Sequence, residues 1–289
     1  MAVAGSGARS DLGLSSSARV AFVVAHPDDE IIGAGGTLLQ QFPKCTIVHV
    51  TDGAPADLRD ATNAGFDTRG EYAAARRYEA AAALSIARIS NEQIVELDVV
   101  DQQASYALAD LARELAHLFR GIRPHVVFTH AYEGGHPDHD ATAFAVHTAL
   151  QLLRPYGAAP ALLEMTSYHA RNGKFVPCEF LPHARRPCTT FELTSREREL
   201  KLRMFECFRT QRHVLSAFPI GAERFRKPPH YDFTKAPHDG KIYYDQFGWG
   251  MNGKQWRRLA REALASLQQG HNDAAFSSKR RLSVSAGWA

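Results

Sequence analysis

The chain has 289 residues, 45% hydrophobic and 22% charged, with a formal net charge of +3. This describes a soluble globular chain long enough for a sizeable core, and it excludes a wholly disordered chain or a small disulfide-stapled scaffold. So slight a basic excess gives no reason to expect a nucleic-acid partner, and no run of about 18 apolar residues suggests a membrane span.

In chain order, residues 1–18 are rich in Gly, Ser and Ala and lack the apolar centre of a secretory signal, so they are expected to be a flexible tail. Residues 19–25 (RVAFVVA) form the apolar run of a strand buried on both faces. Residues 31–41 then predict a short apolar helix, and residues 45–51 (CTIVHVT) a second strand. The Ala-rich stretch 68–87 is a strong helix former. Residues 93–97 suggest a short strand, 105–120 a helix, 125–129 (HVVFT) a buried strand and 138–153 a further helix. This alternation predicts an α/β fold, a three-layer sandwich with a mostly parallel sheet. Ligands in such sheets bind beyond the carboxyl ends of the strands, so chemistry is sought in the loops that follow residues 25, 51, 97 and 129.

Two of these loops stand out. The first is AHPDDEIIGAGG, with His26, Asp28 and Asp29; the second is HAYEGGHPDHD, with His136, Asp138 and His139. Each puts His, Pro and Asp at a strand-to-helix junction on the same sheet edge. Neutral imidazoles and carboxylates converging from two loops suit a catalytic metal with an open position, and the surplus Asp and His residues can supply a base and an oxyanion donor. Either HPD alone could be only a helix cap, since Asp caps well and Pro fits a first turn; two of them at equivalent sheet positions favour a site. His125, His130 and His147 are expected to be structural or to support the ligands from behind. The glycines after Glu30 do not form a dinucleotide fingerprint, because acids fill the turn where a pyrophosphate would sit. The four cysteines, Cys45, Cys178, Cys188 and Cys207, form no CxxC pair, and reduced thiols in the cytoplasm are expected.

AHPDDE together with HPDHD resembles the PIG-L/LmbE-like zinc-dependent N-deacetylase family. TDGAP after the second strand, Thr68-Arg69-Gly70-Glu71, the FRTQ that ends residues 201–211, and WGMNGKQW are similar to further segments of that family. The resemblance spans about residues 19–267, read as one domain with a Rossmann-like fold; residues 268–289 are expected to be a second flexible tail. It implies zinc-dependent hydrolysis of an N-acyl group, acetyl above all, on an amino-sugar substrate. Carried over residue by residue, it implies that His26, Asp29 and His139 bind Zn2+ and that Asp28 is the general base. His136 would polarise the carbonyl and stabilise the oxyanion, oriented by Asp138, which would raise its basicity. Some members place a tyrosine two residues before the first His of HPDH; here that residue is Gly134. Arg69 and Asp52 are candidate substrate contacts, with an exposed first-turn arginine and a turn cap as the alternatives.

The second half is less regular. Residues 168–186 read as an irregular or antiparallel excursion and 195–212 as a charged helix. The aromatic-rich stretch 219–245, with Trp249 and Trp256 after it, suggests a pocket wall, so this half is expected to cap the sheet edge. Two His and one carboxylate also describe a non-haem iron oxygenase. Asp28 and His136 favour hydrolysis, because an oxygenase needs no general base beside its metal. A thiol or glycopeptide-type conjugate is an alternative substrate, and a homo-oligomer is left open.

Overall fold

The computed structural model describes residues 2–4, 8–157 and 159–281. The elements are, in order, β1 (Ala2–Ala4), α1 (Ala8–Asp11), β2 (Val20–Val24), α2 (Asp29–Ala34), α3 (Leu38–Gln41), β3 (Thr46–Pro55), α4 (Arg59–Asn63), α5 (Arg69–Ile86), β4 (Ile94–Asp101) and α6 (Leu108–Ile122). They continue with β5 (Val126–His130), α7 (Pro137–Leu153), β6 (Ala161–Met165), β7 (Tyr168–Arg171), β8 (Lys174–Pro177), β9 (Thr189–Glu192), α8 (Ser195–Cys207), α9 (Arg212–Leu215), β10 (Ala222–Arg226) and α10 (Gly253–Arg281).

The main sheet has the order β1-β9-β10-β6-β5-β2-β3-β4. Strands β4, β3, β2, β5 and β6 run parallel, whereas β10 is antiparallel to both β6 and β9. The parallel half is the expected one. Alternate residues of β2 pack into separate cores on its two faces. Phe22 and Val24 meet Ile31, Leu38 and Leu84 on one side; Ala21 and Val23 join a cluster with Leu111, Phe144 and Trp256 on the other. Helices therefore cover both faces, in three layers. From β2 the chain steps outward to β3 and β4, then crosses back to β5 and β6 on the other side. The loops after β2 and β5 diverge at this reversal and leave a crevice at the carboxyl ends of the strands.

Three boundaries differ from expectation. The helix expected over 31–41 is split into α2 and α3, because the Gly36 and Thr37 backbone N–H groups donate to the buried Glu223 carboxylate at 2.7 and 3.0 Å. The third parallel strand does not stop at Leu97. A bulge, with Asp98 at φ 54°, interrupts the alternation, and the strand continues to Asp101. The second half does not only cap the sheet but extends it, through β9 and β10, while β7 and β8 form an antiparallel hairpin.

Of the tails expected at 1–18 and 268–289, residues 1, 5–7 and 282–289 lie outside the described residues. Within the rest, β1 pairs with β9, and Leu12 and Leu14 pack against the core. Helix α10 buries Trp256, Ala260 and Ala263 against the α6–α7 face and runs on to Arg281. Among the described residues, no helix is long and apolar enough to cross a membrane.

Candidate active site and metal centre

His26 leaves β2, and Asp28 and Asp29 open α2; His136 caps α7 with Pro137 in its first turn, and His139 lies one turn in. The crevice brings these two loops into contact. His26 Nδ1 lies 3.2 Å from Asp29 Oδ2 and 3.2 Å from His139 Nε2, and His139 Nε2 lies 3.2 Å from Asp29 Oδ1. The outer nitrogens of both rings have partners of their own. His26 Nε2 is 2.9 Å from Asp101 Oδ1, and His139 Nδ1 is 3.2 Å from Ser167 Oγ. Burial opposes a charge on His26, but Asp101, Asp138 and Asp29 raise its basicity well above the ordinary range, so a cation among these groups would take the place of a ring proton and let the two inner nitrogens and the Asp29 carboxylate offer lone pairs to it. Three such donors can be reconciled by a cation between them. The two inner nitrogens, 3.2 Å apart, are spaced like two ligands of a tetrahedral metal at roughly 2.0–2.1 Å, and each lies 3.2 Å from a different Asp29 oxygen. Burial pushes His139 down to about 4, which keeps the ring neutral and available as a ligand. Burial acts against ionisation of Asp29, but His139 and His130 hold its carboxyl well below the usual range. Overlapping groups here could hold a metal ion: His26 with His136 and His139, Asp29 with His130 and His139, and His26 with Asp101, His136 and Asp138.

Asp28 occupies the N-cap position of α2, yet its side chain makes no cap hydrogen bond. Its Oδ2 instead accepts from Arg76 Nη1 and Nη2, each at 3.1 Å. Burial pushes the Asp28 carboxyl up to about 6 against the opposing pull of Arg76. Arg76 escaped the sequence reading, although it stands on the buried stripe of α5 with Tyr72, Ala80 and Ala83. An arginine on the apolar face of an Ala-rich helix was the available signal. Its approach also explains Gly53 in TDGAP. That residue has φ +66°, and a Cβ there would lie 2.8 Å from Arg76 Nε and 2.9 Å from Pro27 Cδ.

The Asp138 carboxylate does not orient the His136 ring. It accepts from the Ala104 backbone N–H at 3.1 Å and from the Gln102 N–H, and so ties the second loop to the end of β4. The backbone N–H of Asp138 is what meets His136, donating to Nδ1 at 3.2 Å. The His136 ring is held neutral rather than cationic, because burial and the neighbouring His26 and His139 lower its basicity. Asp101, also missed, reached the site because the bulged strand extends past the expected end. Trp256, buried in the opposite core, props the same loop: its Nε1–H donates to Pro137 O at 3.1 Å.

Asp52 and Arg69 meet each other as an ion pair, and Asp52 also accepts from the Ala54 backbone N–H at 3.0 Å. Neither is among the residues that line the cavity in front of the histidines. Gly134 has φ +70°, and a Cβ there would lie 2.9 Å from Ile242 Cγ2, so the region after β10 fills the space beside it. His125 is structural, its Nδ1 accepting from Arg19 N–H, whereas His130 Nε2, which accepts from Ala25 N–H, also lies 3.4 Å from Asp29 Oδ2. His130 also stacks on His139, with centroids 4.1 Å apart.

The cavity encloses about 640 Å3. His26, Asp28, Asp29, Asp101, His136 and His139 lie on its floor. Its walls come largely from the second half: Tyr168 and Phe175 of the β7–β8 hairpin, the segment Gln211–Phe218, and Tyr243, Phe247 and Trp249. The stretch 219–245 contributes less than expected. Tyr231 is turned to Glu164, and Phe233 packs among Tyr132, Phe144 and Trp256.

Residues 21–150 match the family model described as PIG-L: GlcNAc-PI de-N-acetylase. Over 165 residues the chain is 30% identical to the 1D-myo-inositol 2-acetamido-2-deoxy-alpha-D-glucopyranoside deacetylase of Thermomonospora curvata, covering 50% of this chain and 54% of that protein. The chain thus spans about half the length of this curated relative. Two solved structures share the fold. The N,N'-diacetylchitobiose deacetylase of Pyrococcus horikoshii has TM-score 0.53 at 19% identity, covering 76% of this chain and 89% of its own. The 4-carboxy-2-hydroxymuconate hydratase GalB of Pseudomonas putida has TM-score 0.51 at 19% identity, covering 74% and 98%. A fold shared by a deacetylase and a hydratase leaves the reaction to be argued from the site.

Proposed function

We propose that this chain is a metal-dependent hydrolase that removes an N-acyl group from an amino-sugar substrate, with Zn2+ held by His26, Asp29 and His139. The observation that carries this reading is the convergence of His26 Nδ1 and His139 Nε2, 3.2 Å apart, on the two oxygens of the Asp29 carboxylate at 3.2 Å each, with Asp28 lining the same cavity. The match to the deacetylase family over residues 21–150 supports it. So does the acetamido sugar named for the curated relative.

A zinc ion in this position supplies Lewis acidity toward water and the amide carbonyl. The chain supplies the proton traffic and the orientation. Asp28 Oδ1, the oxygen not held by Arg76, takes the proton from the attacking water and returns it to the leaving amine nitrogen. Arg76 fixes the carboxylate and keeps its basicity from rising further. Since His136 Nδ1 accepts the Asp138 N–H, its proton sits on Nε2, which donates to the developing oxyanion as a neutral imidazole. Asp138 acts by anchoring the loop that carries both histidines. Asp52 and Arg69 act together, fixing the loop after β3 rather than touching the sugar.

The substrate is a small molecule. No helix among the described residues is long and apolar enough to cross a membrane, and the four free cysteines suit the reducing cytoplasm. Purified chain loaded with zinc should release primary amine and an equal amount of acetate from N-acetylglucosaminyl compounds, and a chelator should abolish the release. Iron-dependent oxygen uptake without amine release would replace this reading with oxygenase chemistry.

A further inference from the structure

The two rings that meet Asp29 are backed by chemically different partners. His26 Nε2 lies 2.9 Å from Asp101 Oδ1, with Asp138 Oδ2 at 3.6 Å. A carboxylate only accepts hydrogen bonds, so this nitrogen keeps its proton. His139 Nδ1 instead lies 3.2 Å from the Ser167 hydroxyl. A hydroxyl rotates to donate or to accept, so it can serve this nitrogen with or without a proton.

Neither partner has much freedom to move. His130 stacks flat on the His139 ring, with centroids 4.1 Å apart and 3° between the planes, and the Tyr168 ring meets it edge-on at 5.2 Å. Ser167 is pinned on both sides. Its carbonyl accepts from the Cys178 N–H at 2.7 Å, just past β8, and the preceding Thr166 N–H donates to Arg224 O of β10 at 3.3 Å. The hydroxyl that backs a residue of the second loop therefore comes from the less regular second half of the chain.

The same heavy-atom positions accommodate two proton arrangements. In one, His139 Nε2–H donates to Asp29 Oδ1, 3.2 Å away, and Nδ1 accepts from the Ser167 hydroxyl. In the other, Nε2 offers a lone pair to a cation and Nδ1–H donates to Ser167 Oγ. The first suits the chain before it takes up metal, the second the loaded chain. We propose that Ser167 is a positioning residue whose hydroxyl reverses its hydrogen bond to His139 as metal enters, so that the ring changes tautomer in place. The proposal rests on the reading of His139 as a metal ligand. The proton balance closes within the ring: Nε2 gives up a proton to water and Nδ1 gains one, and neither side chain changes its charge. A cation on Nε2 draws charge out of the ring and makes Nδ1–H the stronger donor. Loss of the hydroxyl therefore costs the loaded chain more than the metal-stripped one, and metal affinity falls.

Two measurements on the full chain test this without turnover. In the first, Zn2+ is titrated into the metal-stripped chain against a competing chelator. Ser167→Ala should bind zinc about 10- to 100-fold more weakly than the parent, and Ser167→Thr, which keeps the hydroxyl, should stay within about threefold of it. An affinity of Ser167→Ala within about threefold of the parent overturns the proposal, and so does a Thr variant as weak as the Ala one. The second measurement needs no change at Ser167. In the parent chain carrying 15N-labelled histidine, the ring nitrogen shifts of His139, assigned by their loss in His139→Gln, should show the proton on Nε2 without metal and on Nδ1 with zinc. The same nitrogen protonated in both states overturns the proposal. Amine release separates this outcome from the fate of the hydrolase reading. Zinc uptake with the tautomer change but no amine release from N-acetylglucosaminyl compounds defeats the hydrolase reading and leaves the role of Ser167 standing. Amine release by a chain whose tautomer does not change defeats the proposal alone, and a parent chain that takes up no zinc defeats both.

Discussion

The sheet carries two clusters of buried acids built from similar parts and finished differently. Beside β6 and β10, the Arg226 guanidinium serves two glutamates, through Nε to Glu164 Oε2 at 2.7 Å and Nη2 to Glu133 Oε1 at 2.9 Å. Tyr231 Oη–H donates to the other Glu164 oxygen at 2.6 Å, and the Leu181 N–H adds a second donor to Glu133 at 2.8 Å. Both glutamates are thus paired within the cluster. At the carboxyl ends of β2 and β5, by contrast, His26, Asp29 and His139 can offer lone pairs to a cation, and Asp28 keeps one oxygen toward the cavity. Burial of charge does not distinguish the two sites; incompleteness does. Groups that satisfy one another hold a fold together, and groups that need an outside cation or substrate mark where chemistry happens.

The largest expected effect breaks the comparison on the open side. Asp28→Asn should lower amine release by a factor on the order of 10² to 10⁴ while zinc stoichiometry and melting temperature stay near those of the parent. Collapse of the zinc content in that variant would move Asp28 into the ligand set. On the closed side, Arg226→Met should cost about 1–3 kcal/mol of stability in denaturant unfolding, because two buried glutamates lose a hydrogen-bond donor. The folded fraction should still bind zinc.

A third measurement sharpens the difference through pH. Burial, partly offset by Arg226, pushes Glu133 up to about 8 and Glu164 up to about 7. Between the ordinary glutamate range and these values the folded chain holds protons that the unfolded chain has released. The stability they contribute is complete below about pH 4.3 and is lost as pH rises through 7 to 8. Glu133→Gln should flatten the fall of the unfolding midpoint across that window; an unchanged slope would show that the proton resides elsewhere. The smallest effect is at Trp256→Phe, which removes the N–H donated to Pro137 O and leaves the packing nearly intact. About 1 kcal/mol should be lost in thermal unfolding, with a modest fall in activity as the His136–His139 loop loosens.

Legibility followed distance along the chain. His26, Asp28 and Asp29 sit within four consecutive residues, as do His136, Asp138 and His139, so local motifs at strand ends disclosed them. Arg76 and Asp101 act on the same atoms but come from separate elements and carry no local pattern. One lies on an Ala-rich helix, the other beyond a bulge that masks the end of its strand. The role expected of the Asp138 carboxylate passed to its backbone N–H. Asp52 and Arg69, 17 residues apart in sequence, pair with each other.

The sequence by itself determined the alternating parallel core, the two loops and the residue types that converge there. Apolar runs bounded by HPD turns leave little freedom in where those side chains emerge. Only the tertiary structure decided which distant residues close the cavity over the two loops. Its aromatic wall is assembled from the β7–β8 hairpin, the segment after α8 and the approach to α10. Segments so far apart in sequence meet only because β9 and β10 extend the sheet and carry the chain back over its edge.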